Sequence, residues 1–332
     1  MSISGRECVW EVHGLRLAGL SWGDPEAQPV LCLHGWLDNA ASFDALASLL
    51  PDYYLVAPDL TGQGQSDRRS ADATYQIWDD LPEVKGIVET LGWERFRLIG
   101  HSRGAVIASL FCSSYPECVQ HLVMLDAVMP EPVPEAEFPQ QMRRFLQDKG
   151  RLLSRENRVF DSVEAAAASR EDQGIGERAA RQLAERNLRA CEGGYTWTTD
   201  PRLRGASAVK LTRGQVDAVL QALDMPTLLL LAEKGFGGRH QQLAEVAQHS
   251  IRRLQVESLP GGHHFHMEEG AAHAAELIKE FFVCDYYGRM PVKYKGDLEM
   301  FAVIGIKPEY CVDGDAFTPN EQFDTKFKLI QF

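Results

Sequence analysis

Residues 97–108 read Arg97-Leu98-Ile99-Gly100-His101-Ser102-Arg103-Gly104-Ala105-Val106-Ile107-Ala108. Phe96 to Ile99 reads as a short buried strand, and Ala105 to Phe111 as an apolar helix. Between them, Gly100-x-Ser102-x-Gly104 marks a sharp turn from strand to helix. Such a bend strains its middle residue, and it needs small residues two before and two after so that neighbouring backbone can approach. In return it holds a serine hydroxyl clear of the backbone at the carboxyl edge of a sheet. The helix N-terminus beside it favours developing negative charge. The placement predicts Ser102 as a nucleophile; the plainer alternative is a serine in a tight turn with no chemistry.

Outward from this stretch the chain alternates strands with helices. Glu7 to Leu17 reads as an edge strand with Leu15 to Trp22 as its hairpin partner. Pro29 to Leu33, Tyr53 to Ala57 and Val119 to Leu125 are apolar runs of the kind buried on both faces of a parallel sheet. Helices are predicted over Ala40 to Leu50 and Trp78 to Leu91, with Gly92 as a C-cap. From Val128 to Leu223 strand-like runs vanish and charged helical stretches take over, including Gln140 to Leu153 and Gly176 to Ala190. Pro226 to Ala232 resumes the buried-strand pattern. Gln241 to His249, a strand over Arg253 to Ser258 and an amphipathic helix over Ala271 to Phe282 follow. Alternation of this kind implies right-handed crossovers and a mostly parallel sheet. The predicted organisation is an α/β core over 1–127 and 224–282, a helical cap over 128–223 and a tail over 283–332.

The chain has 332 residues, 45% hydrophobic and 24% charged, with a formal net charge of −13. That composition is globular, and the acidic balance argues against nucleic acid and anionic membranes as partners. Seven cysteines are scattered without a Cys-x-x-Cys pair, which points to free thiols in a reducing cytoplasm. No apolar leader and no run of about 18 apolar residues is present, so no membrane span is expected.

Four motifs in register resemble the α/β-hydrolase superfamily: His34-Gly35, Pro58-Asp59-x-x-Gly62-x-Gly64-x-Ser66, Gly100-His101-Ser102-Arg103-Gly104 and Gly262-His263-x-x-His266-x-Glu268. Within it, Gly193 to Leu203 is similar to the cap segment of the serine hydrolase-like proteins. Acyl transfer by serine needs a base for the hydroxyl proton and an acid to orient that base. The resemblance implies His263 as the base, with His264 and His266 as competitors. A histidine cluster or metal site is the alternative, poorly supported because neither Cys nor Asp lies nearby in the sequence. The superfamily's usual acid follows the strand resumed at Pro226, but Gly235 stands where an aspartate would be expected. Some members carry the acid after the preceding strand, where Asp126 stands; Glu233 is the fallback. An oxyanion hole needs two converging backbone amides, and Trp36 and Arg103 are the candidates. Gly62 and Gly64 serve loop geometry. His34, Tyr195 and Trp197 are assigned to the substrate pocket, with the core of the cap as the alternative for the two aromatics, and His101 is read as a neighbour of the bend.

The tail from Tyr286 to Val303 alternates strongly, suggests a β-hairpin, and resembles the C-terminal end of class III nucleotide cyclase domains. The carboxylate segments that cyclases require are missing, so cyclase activity is not expected; the tail reads as a gene fusion or remnant, with self-association through its exposed edges as the alternative. The reading is a carboxylesterase-like serine hydrolase of esters or thioesters, with a Ser102–His263–Asp126 triad and neither cofactor nor metal. A carbon–carbon bond hydrolase and an inactive hydrolase-fold binding protein stay open as alternatives.

Overall fold

The computed structural model describes residues 5–171, 175–235, 240–282, 284–292 and 296–303. The chain opens with β1 (Arg6–Val12) and β2 (Leu15–Trp22), an antiparallel hairpin turning at His13-Gly14, where both residues have positive φ. Then come β3 (Gln28–Leu33), α1 (Asp44–Ser48), β4 (Tyr53–Pro58), α2 (Leu81–Thr90), β5 (Phe96–His101), α3 (Arg103–Ser114) and β6 (Val119–Leu125). Residues 138–221 carry α4 (Phe138–Leu152), β7 (Val159–Phe160), α5 (Val163–Glu171), α6 (Glu177–Asn187), β8 (Leu188–Cys191), β9 (Gly194–Trp197) and α7 (Arg213–Gln221). The core resumes with β10 (Thr227–Lys234), α8 (His240–Ser250), β11 (Leu254–Gly262) and α9 (Ala271–Phe282). Beyond it, β12 (Cys284–Val292) and β13 (Gly296–Val303) pair antiparallel, where the alternation suggested a hairpin. The rest of the tail, 304–332, lies outside the described residues.

The main sheet has the order β1-β2-β4-β3-β5-β6-β10-β11. From β4 to β11 every pairing is parallel, and only β2, antiparallel to both β1 and β4, runs against the rest. The apolar runs explain why. In β3, Leu31 and Leu33 join Leu98, Ile107, Phe111 and Met124 on one face, under α2, α3, α7 and α8. The alternate residues Val30 and Cys32 join Ile99, Val123, Leu228 and Phe282 on the other, under α1 and α9. A strand with apolar side chains on both faces is stable only between two helical layers.

The segment between β6 and β10 departs from the expectation in one respect. It is mostly helical, but β7, β9 and β8 form a small antiparallel sheet where no strand was expected. Strands of two to four residues are too short to show a period of two, and the helix that the sequence predicts over Gly176 to Ala190 ends at Asn187, where β8 begins. Gly193 and Gly194, both at positive φ, make the β8–β9 turn, and a Cβ on Gly194 would meet the Phe160 carbonyl at 2.1 Å.

The close approach that shapes the centre of the fold is at Gly104. A Cβ there would sit 1.9 Å from the backbone oxygen of Leu33, in the adjacent strand. Gly104→Ala should therefore force α3 away from β3 and lower stability by about 1–3 kcal/mol or more, as over-packing does. A denaturant midpoint equal to that of the parent protein would show that the helix can give way.

Candidate active site

The carboxyl ends of β5, β6, β10 and β11 bring together the residues that the sequence singled out. Ser102 joins β5 to α3 with φ 51° and ψ −116°, a backbone state that costs a non-glycine residue of order 1–3 kcal/mol. It is held there from both sides. Its amide donates to the Leu125 carbonyl at 3.0 Å, and its own carbonyl accepts from Ala105 at 3.0 Å. Asp126 follows β6, also at positive φ, with its amide donating to the Leu230 carbonyl at 2.8 Å. Of the other described non-glycine residues, only His13 and Leu37 share this backbone region, and Leu37 belongs to the loop after β3. Three of these four positions thus lie on loops at the carboxyl ends of β3, β5 and β6.

His263 follows β11, and its Nδ1 lies 2.6 Å from Asp126 Oδ2. A carboxylate can only accept, so Nδ1 carries the proton and Nε2 of the neutral ring is left to accept one. The other carboxylate oxygen, Oδ1, accepts from the Ala232 amide at 2.9 Å. Asp126 is almost wholly buried, whereas Glu233 is exposed. Gly235 explains the choice between the two strands. A Cβ there would stand 2.4 Å from both Asp126 carboxylate oxygens, so a side chain at the expected acid position and Asp126 in its present place exclude each other.

The amides of Trp36 and Arg103 have no backbone or side-chain acceptor among the described residues. The next amide along the same loop, that of Leu37, is taken by Gln63 Oε1 at 2.6 Å. The Arg103 side chain turns away to an ion pair with buried Asp80. The Trp36 indole, half exposed, donates to the Leu203 carbonyl at 3.0 Å and so ties the loop to the segment between β6 and β10.

His34 does not reach a pocket. It is fully buried, with Nε2 accepting from the Leu60 amide at 2.9 Å and Nδ1 at 2.8 Å from the Gly35 carbonyl. With both nitrogens committed, it fixes the loops after β3 and β4 to each other, and burial lowers its pKa. The substrate contact expected of it is thereby corrected. Trp197 lines a cavity of about 230 Å³ together with Leu37, while Tyr195 does not take part in that wall. Gly62 and Gly64 both have positive φ, and a Cβ on Gly64 would strike the Asp59 carboxylate.

Asp38 and Arg170 had no assigned role, and they bind the site together. Buried Asp38 accepts from Arg170 of α5 at 2.8 Å through Oδ1, and His264 Nε2 lies 3.1 Å from its Oδ2. Burial alone would raise its pKa; His264 and Arg170 outweigh this and hold it well below the usual carboxylate range. His101, completely buried, donates from Nε2 to the His263 carbonyl at 3.0 Å and presents Nδ1 to Asp38 at 3.5 Å. Burial, with His263 and His264 adding to it against the pull of Asp38, pushes its pKa down to about 4, so the ring is neutral near pH 7. Asp38, His101 and His264 offer one atom each within 4.8 Å of one another, so an aspartate does meet this histidine cluster from far along the chain. Its charge is already matched by the Arg170 guanidinium, and the arrangement is a hydrogen-bonded one. Asp38 was legible only as part of the loop His34 to Asn39; no local signal pairs it with Arg170, 132 residues away.

Comparison with known proteins agrees with this fold. Residues 28–270 match the family model described as the alpha/beta hydrolase fold. The zebrafish (Danio rerio) serine hydrolase-like protein is 33% identical over 279 residues, covering 80% of this chain and 84% of its own. Human serine hydrolase-like protein 2 is 30% identical, covering 81% and 91%. Among solved structures, the hypothetical protein PA1622 from Pseudomonas aeruginosa PAO1 is 35% identical with a TM-score of 0.79, covering 83% of this chain and 99% of that one. A thioesterase domain from the curacin biosynthetic pathway is 27% identical with a TM-score of 0.72 and the same coverage. On its sheet, its bend at Ser102 and these relatives, the chain belongs to the α/β-hydrolase family, among the serine hydrolase-like proteins.

Proposed function

We propose that the protein hydrolyses an ester or thioester through an acyl-enzyme on Ser102. The His263–Asp126 contact, set beside a strained and partly exposed serine, carries this reading. His263 Nε2 takes the Ser102 proton as Oγ bonds to the carbonyl carbon. Asp126 keeps Nδ1 protonated and stabilises the imidazolium that forms. Collapse of the tetrahedral intermediate breaks the bond to the alkoxide or thiolate, which leaves with the proton from His263. Water then enters by the same path: His263 removes its proton, and Ser102 recovers its hydrogen as the acid departs. The Trp36 and Arg103 amides donate to the oxyanion at both stages. No step calls for a cofactor.

The named relatives support a hydrolase, and the thioesterase among the neighbours is a precedent for a thioester substrate on this fold. His101 acts as a positioning residue, since its neutral ring holds the His263 carbonyl.

A fluorophosphonate probe should label the wild-type protein and fail to label Ser102→Ala. A wild-type protein that stays unlabelled while folded would favour an inactive binding protein instead. Asp126→Asn should lower the turnover of a p-nitrophenyl ester on the order of 10³–10⁴-fold, because the ring loses the partner that fixes its tautomer. Glu233→Gln should leave turnover within about twofold. The reverse outcome, damage at Glu233 and none at Asp126, would move the acid to β10.

A further inference from the structure

The cavity beside the site holds a charge pattern that the reaction above does not use. Its wall includes Arg155, Arg158, Arg170 and Arg204, with Glu156 as the one acid among the described residues, in a chain whose net charge is −13. Arg170 is answered by Asp38, and Arg158 lies over the Phe160 ring at 4.8 Å. Arg155 and Arg204 have no carboxylate partner among the described residues. Arg204 is the more telling of the two. Its side chain is solvent-exposed at the cavity mouth, yet desolvation, then Arg155 and Arg170, lower its pKa, with no anion among the causes. Guanidinium groups gathered around an open space, without counter-charges, raise one another's energy. An anion entering that space relieves all of them at once.

The cavity is linked to the candidate catalytic residues through their neighbours, and none of Ser102, His263, Asp126, Trp36 and Arg103 lines it. Leu37 lines the cavity and follows Trp36, whose amide is the candidate oxyanion donor. The Trp36 indole is bonded to Leu203, the residue before Arg204. Arg170 reaches His264, the neighbour of His263, through Asp38. These links set the cavity beside the loops that carry the candidate oxyanion donor and base.

We propose that this cavity selects esters or thioesters bearing an anionic group, a carboxylate or a phosphate, at a distance from the scissile carbonyl, with Arg204 and Arg155 as the cations that bind it. The guanidinium fork suits both anions, since each offers two oxygens to parallel N–H donors. The inference rests on the hydrolase reading for its substrate, though not for its binding site.

Two matched pairs of substrates separate the sources of the anion. Mono-p-nitrophenyl adipate against methyl p-nitrophenyl adipate places a carboxylate on the acyl side. Butyryl-coenzyme A against S-butyryl-N-acetylcysteamine places phosphates on the thiol side. At low ionic strength kcat/KM should be about tenfold or more higher for the charged member of at least one pair. That ratio should fall about tenfold in Arg204→Gln and in Arg155→Gln, and shrink with added salt. Arg181→Gln, an exposed arginine on α6 already paired with Glu185, should leave the ratio as it was. Equal kcat/KM within both pairs, or an Arg204→Gln protein that keeps the wild-type ratio, overturns the inference.

Isothermal titration of Ser102→Ala with adipate and with inorganic pyrophosphate decides the matter without turnover. At least one should bind, and Arg204→Gln in the same background should weaken it tenfold or more. If no ester is cleaved and no fluorophosphonate is bound, the hydrolase reading fails, and this titration still tests the cavity. If neither anion binds, the inference falls whatever the esters do.

Discussion

Everything in the site turns on the 2.6 Å contact between His263 Nδ1 and Asp126 Oδ2. It joins two loops 137 residues apart and fixes which nitrogen of the ring is free to accept a proton. The partners are held from behind by backbone: the Ala232 amide on one carboxylate oxygen, and the His263 carbonyl on the His101 ring. The contact also depends on an absence. Gly235 occupies the place where a side chain would meet the Asp126 carboxylate, so the acid on β6 and the glycine after β10 form one arrangement. An acid after β10 would need Asp126 gone, and Asp126 needs the glycine.

Buried charge gives the second layer of order. Asp38 and Asp59 are taken out of water almost completely, a position tolerable only with full pairing. Asp59 is met by Arg186 of α6 and by the amides of Ala40 and Gln65; Asp38 is met by Arg170 of α5 and by His264. In both cases the carboxylate stands on a core loop and the guanidinium on a helix between β6 and β10. Removing either partner would leave the other charged and enclosed, so these pairs fix how that segment sits over the sheet. Packing adds to this, since Ile175, Ala179 and Leu183 bury against Met267, in the same loop as His263.

The strands of the core were legible because both faces are buried. Runs such as Pro29 to Leu33 and Val119 to Leu125 have no alternative use in water, and β3 and β6 lie within a residue of them. The bend at Ser102 was legible for a different reason. Gly104 cannot carry a Cβ and Ser102 adopts a rare backbone state, so the residue types themselves record the geometry. What escaped depends on long-range pairing. Neither the Asp38–Arg170 pair nor the tie from the Trp36 indole to Leu203 leaves a local pattern. His34 was assigned to substrate by its motif, yet its ring is spent on the Gly35 and Leu60 backbone, a use that looks identical in sequence. The strands β7, β8 and β9 are too short for periodicity to reveal.

Strain and cation placement complete a single argument about the loop after β3. Leu37 sits at positive φ, its amide is drawn to Gln63, and the preceding Trp36 amide is left without a partner. A loop following its easiest path would turn that amide into a local hydrogen bond. Here the flanking contacts, Asp38 to Arg170 on one side and the Trp36 indole to Leu203 on the other, hold it open. Both contacts reach into the segment that carries the arginines. The geometry that leaves the Trp36 amide unpartnered and the geometry that gathers cations around the neighbouring cavity are therefore set by the same few bonds. A change in how that segment docks would move both together.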